Sequence, residues 1–253
     1  MTFEQALDRL KTRIHPLARF VHGFAGTFDP PVMVMAEGGF RYSKPDFRHF
    51  CLLRSCRIVS ALSGSIELAR CGYPQEIGVL CRVVQESSSQ INAVMAQITT
   101  DGRVSGKLAE FIDAYFQDVH RSESSAPDSP AKLSQKYVNE LIGSRLDQFN
   151  SLEPTDPNWK SAAERYWHVD WVFSNYVHGR YPEAMDLYGG TPGRFHLFGM
   201  KGTPKDMENI QALDAFITTA SRCFIGLAQG LQLREVLAKD TMLTEWYRKL
   251  GDA

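Results

Sequence analysis

Residues 52–94 read LLRSCRIVSALSGSIELARCGYPQEIGVLCRVVQESSSQINAV, and this stretch decides the fold. Ser43, Lys44 and Pro45 open a long helical segment that reaches Cys71, where Gly72 stops it. Pro74, Gln75 and Glu76 start a second, which runs to about Ile98 through Ile77, Leu80, Cys81, Val84, Ile91 and Met95. Two long helices joined by Gly-Tyr-Pro form an antiparallel αα-hairpin. Packed about that turn, Ser60, Ser63 and Gly64 lie near Glu86, Arg82 and Cys81, and small residues there let the two backbones approach.

Outward from the hairpin the pattern stays helical. Phe3, Leu7, Leu10, Ile14, Leu17, Val21 and Phe24 form an apolar seam over residues 2–25, with Thr2 as N-cap. Pro16 is expected to kink or split that helix. Residues 26–45 read as a loop with a short extended piece at 32–35. Ser105 opens a fourth helix through Leu108, Phe111, Ile112, Tyr115, Phe116 and Val119, and SESSAPDSPA at 122–131 is a small-polar linker. Leu133, Tyr137 and Leu141 carry a fifth helix to Phe149. A glycine-rich loop occupies 179–203, a helix capped by Thr203 and Pro204 runs to about Leu237, and a short helix ends the chain. Neither an internal repeat nor β-alternation is found. The fold class is all-α: a multi-helix bundle built on the hairpin, with a central aromatic-rich helix. The whole chain reads as one helical domain, divided into 1–44, 45–121, the linker, and 132–253.

That aromatic helix is WKSAAERYWHVDWVFSNYVHGRY, residues 159–181. At 3.6 residues per turn, Ala162, Tyr166, Val169, Phe173 and Val177 share one face, and Trp167, Trp171, Ser174 and His178 share another. A helix apolar on two sides belongs inside a bundle or at a subunit interface. Asp170, on the Tyr166/Phe173 face, then needs a cationic partner, and Arg54, Arg57 and Arg82 are the candidates.

Composition excludes more than it assigns. The 253 residues are 43% hydrophobic and 23% charged with a net charge of −1, ordinary for a globular protein and without a global footprint for nucleic acid or anionic lipid. Five cysteines, with no CxxC pair, read as reduced and mostly buried thiols of a cytoplasmic protein. MTFEQALDRLK lacks the apolar run of a signal peptide, and no window approaches a membrane span. Glu164 and His168 are one residue too far apart for a di-iron carboxylate helix, HExxH is absent, and neither metal nor cofactor is expected. GxSxG and the phosphate-binding glycine motifs are missing as well. Arg9 and His15 in RLKTRIH have the spacing of a helical ribonuclease motif, but Leu10 stands where a polar residue usually follows the arginine.

Residues 52–94 also carry a resemblance. The helix, glycine turn and Leu-rich helix with Arg82-x-x-x-Glu86, followed by Ser174-x-x-x-His178 near a helix end, resemble an uncharacterised family of bacterial helical proteins. The resemblance spans residues 45–235 and implies a setting near abortive-infection and phage-defence proteins; the 122–131 linker and 179–203 loop are elaborations of this chain. If the hairpin packs on the aromatic helix, Arg82, Glu86, Asp170, Ser174 and His178 form one buried polar cluster. Three readings follow. The first is an oligomeric or partner-binding interaction and regulatory protein, with the cluster structural. The second is a defence effector with nuclease activity, using His178, Glu86 and Arg82 as catalytic residues. The third is a binder of a small ligand or peptide, in which Asp170, Ser174, Trp167, Trp171 and Arg180 contact a ligand covered by the 179–203 loop.

Overall fold

The computed structural model describes residues 1–35, 39–116, 135–149, 162–188, 192, 194–238 and 243–245. It is an all-α multi-helix bundle with one two-stranded hairpin among the described residues. The first helix, α1 (Phe3–Ala25), starts at a capping box: Thr2 Oγ1 accepts from the Gln5 N–H, and Gln5 Oε1 accepts from the Thr2 N–H. Of the kink or split expected at Pro16, the split does not occur, and α1 runs through it as one helix. Pro16 removes one backbone hydrogen bond, but the buried seam of Leu7, Leu10, Ile14, Leu17 and Phe24 holds both halves on the same core. Strands β1 (Val32–Val34) and β2 (Gly39–Arg41) pair antiparallel, so the extended piece foreseen at 32–35 belongs to a small hairpin.

Helix α2 (Phe47–Cys71) starts later than Pro45, because the Asp46 carboxylate accepts from the Arg48 and His49 N–H groups and so fixes the N-cap. Gly72 ends it in the left-handed conformation, at φ 78°. Helix α3 (Pro74–Asp101) follows at once, and Gly102 closes it. At Gly64 the hairpin pairs within a residue of the expected register: a Cβ there would lie 3.5 Å from Leu80, the neighbour of Cys81. Ser60 and Ser63, however, face outward, and the small buried residues of α2 include Ser55, Ala61, Ser65 and Ala69.

The innermost position belongs to α3, which packs against α2, α5 (Gln135–Phe149), α6 (Ala162–Val177) and α8 (Lys205–Gly230). Packing on several sides buries the polar run Ser87, Ser88, Ser89 and Gln90 together with Val84 and Ile91. Small serines permit the close approach of α8, where the Cys223 thiol lies 3.7 Å from the Ser88 carbonyl oxygen. Helix α4 (Gly106–Phe116) lies on α2, with Phe111 and Tyr115 edge-on to Phe50. The segment after α6 is not loop throughout. It contains α7 (Tyr181–Met185) and an isolated bridge between Tyr188 and Phe195, and it is tied to the hairpin turn where the Met200 N–H donates to the Gly72 carbonyl. Helix α8 stops at Gly230 rather than near Leu237. The chain turns through Gln232, at φ 57°, and resumes as α9 (Arg234–Ala238). The 122–131 linker, Val119, Leu133 and Trp159 lie outside the described residues.

Candidate functional site

Gly78, Arg82, Glu86 and Gln90 recur every four residues on α3 and form a stripe on one side of that helix. Helix α6 packs over its first half. Gly78 leaves room for the Tyr176 ring: a Cβ there would sit 2.5 and 2.8 Å from two of its ring carbons. One turn on, Arg82 donates to Asp170, with the side chains only 16% and 15% exposed. Of the three arginines the sequence offers to Asp170, α6 meets Arg82. Glu86 extends the pair, with Oε2 4.0 Å from Arg82 Nη2 and Oε1 accepting from the Gln90 amide at 3.1 Å. Burial holds the Asp170 carboxyl above its ordinary range, with Arg82 pulling the other way and Glu86 adding to the rise.

The C-terminal half of α6 is pinned as well. Phe173 stacks edge-on against Phe216 of α8, with ring centres 4.7 Å apart. The Tyr176 hydroxyl lies 3.4 Å from Asp186, which pairs with Lys205 at 3.2 Å. Burial and the Asp186 charge raise the Tyr176 phenol above its usual range. The Gln75 amide donates to the Glu183 carbonyl and so ties α7 to the start of α3.

The other face of α6 is where the structure departs from the sequence reading. Trp167 is 55% exposed and Trp171 45%, so among the described residues this face is open rather than packed inside the bundle. Ser174 is half-buried, while His178 and Arg180 are exposed. His178 lies eight residues beyond Asp170, about 12 Å along the helix axis. The buried part of the expected five-residue cluster is therefore Arg82 and Asp170, flanked by Glu86 and Gln90. Beyond α6, exposed apolar side chains are Tyr181 of α7 and, between α7 and α8, Leu197 and Phe198, the last 92% exposed. Lys201, also in the segment after α7, pairs with Glu4 of α1.

Sequence reasoning passed over Gly78, Gln90 and Tyr176. The four-residue spacing of the stripe was available as a signal, but the seat for Tyr176 exists only once α6 is placed. No three His, Cys, Asp or Glu side chains come together as a metal-binding set among the described residues. No family model, curated protein or solved structure matches the chain.

Proposed function

We propose that this chain is a helical interaction protein that self-associates through the open face of α6, with the Arg82–Asp170 pair holding the helix so that Trp167 and Trp171 point outward. The half-exposed tryptophan pair carries the reading. Monomeric proteins rarely leave a contiguous aromatic surface open, and tryptophan is enriched at the centres of interfaces. A second copy is the partner that best fits the chemistry. The described residues that share this face or adjoin it on α6 are His168, its ring centre 6.2 Å from that of Trp171, Ser174 and His178, so they supply no strong charge of one sign to match a charged partner. An aromatic face of this kind is self-complementary about a two-fold axis. The nuclease alternative would use Arg82 with His178, but Arg82 is engaged by Asp170 while His178 stands about two helical turns away.

Sedimentation velocity over a range of protein concentrations tests this. Wild type is expected to shift from monomer to dimer as concentration rises. Trp167→Ser with Trp171→Ser is expected to remain monomeric, with an unchanged far-ultraviolet circular dichroism spectrum. A wild type that stays monomeric at high micromolar concentration, or a double variant that still dimerises, would sink the proposal.

A further inference from the structure

On the side of the bundle formed by α2, α4 and the β-hairpin, two adjoining depressions of about 380 and 440 Å³ meet at Leu53 and Tyr115. Arg54, Arg57 and Cys56 of α2 line the first, while Phe40, Arg41 and Tyr42 line the second. Among the described residues, the lining holds Arg41, Arg54 and Arg57 and no carboxylate. Arg54 is the best-placed of them. Its guanidinium carbon lies 4.8 Å from the Tyr115 ring centre and 5.1 Å from that of Phe50, so aromatic faces fix the fork in position. Its Nε is buried without an acceptor. Burial lowers the Arg54 pKa, with Tyr115 and then Glu86 of α3 acting the other way and the Arg57 charge adding to the fall. A guanidinium that lines the groove, is held by two rings and sits one turn from the exposed Arg57 offers the donors that an anion's oxygens need. Beside it, Tyr115, Tyr42 and Phe40 offer ring surfaces suited to a planar group.

We propose that this groove binds a small planar aromatic anion, its carboxylate or phosphate held by Arg54 and Arg57 and its ring lying against Tyr115 and the hairpin aromatics. The site is separate from the α6 face and does not depend on self-association. Adenosine monophosphate and 1-naphthoate serve as probes of the two anion types, with adenosine and inorganic phosphate as controls. Binding is read by calorimetry and by the rate at which a thiol reagent labels Cys56, mapped by mass spectrometry. Cys71, the other exposed thiol, lies outside the groove lining and is the internal reference. At least one probe is expected to bind and to slow labelling of Cys56 but not of Cys71. Arg57→Ala, at an exposed position, and Arg54→Lys, which keeps the charge but loses the fork, should each weaken binding at least tenfold. The proposal is overturned if neither probe binds at millimolar concentration, if Arg57→Ala leaves binding unchanged, if inorganic phosphate binds as tightly as the probes, or if Cys56 is not protected.

Discussion

Replacing Gly78 by alanine tests the packing of α6 on α3 through the sign of a stability change. In a helix interior, glycine to alanine is normally stabilising by about 1 kcal/mol, because alanine loses less backbone entropy on folding. Gly226 of α8 is a case where this should hold, since a Cβ there meets nothing within 4 Å. At Gly78 a Cβ would fall 2.5 and 2.8 Å from carbons of the Tyr176 ring. These are atoms at the root of the ring, which cannot swing aside like the tip of a lysine, so α6 must move. Overpacking of this kind costs about 1–3 kcal/mol. Set against the propensity gain of about 1 kcal/mol, the net effect is a loss of up to about 2 kcal/mol. At about 2–4 °C per kcal/mol for a chain of this size, thermal unfolding should show Gly78→Ala melting up to about 8 °C below wild type and Gly226→Ala about 2–4 °C above it. Tyr176→Ala in the Gly78→Ala background should recover part of the loss, with a coupling of at least about 1 kcal/mol in the double-mutant cycle. Stabilisation by Gly78→Ala equal to that of Gly226→Ala would mean that Tyr176 does not rest on α3, and the placement of α6 would be refuted.

Three further outcomes follow from the same structure. Burial raises the Asp170 carboxyl, so the folded state holds its proton more tightly than the unfolded chain does, and this contribution is full below the unfolded pKa and is lost as pH rises through the folded one. Asp170→Asn mimics the protonated form, and its stability relative to wild type should rise from acid pH to neutrality in urea titrations; a relative fall would show that Arg82 outweighs burial. Thiol titration should find Cys56 and Cys71 reactive in the native protein and all five only after denaturation, because Cys51, Cys81 and Cys223 are enclosed and burial pushes the last two up to about 12; rapid native reaction of more than two would contradict the core. Thr2→Ala removes one half of the capping box and should lower stability by about 1 kcal/mol, with faster amide exchange confined to the first turn of α1; unchanged exchange there would discount the cap.

The hairpin was legible residue by residue, because Gly72 and Pro74 act through their own backbones and the apolar spacing of Ile77, Val84 and Ile91 needs no partner to be read. The α1 seam and the Thr2 cap were legible for the same reason. Asp46 as the N-cap was missed although its signal is local, since Ser43 to Pro45 gave a competing start. For the candidate site, periodicity put Asp170 on a face that needed an arginine, but three arginines satisfied that condition equally. Which one answers depends on how α6 crosses α3, a matter of Gly78 receiving the Tyr176 ring, and so on two residues almost a hundred positions apart. Likewise, Ser87 to Gln90 are polar in the sequence, and their burial follows only from α2, α5, α6 and α8 packing around α3.

By itself the sequence determined the long helices and the ends that Thr2, Gly72 and Pro74 mark, because those depend on backbone preferences and on neighbours within a turn. Tertiary structure alone decided which apolar faces are covered. Trp167 and Trp171 have the same hydrophobicity whether buried or open, and only the direction in which Arg82 and Tyr176 anchor α6 turns them toward solvent. Nor could the sequence bring Arg54 and Tyr115 together, since that groove needs α4 folded back on α2.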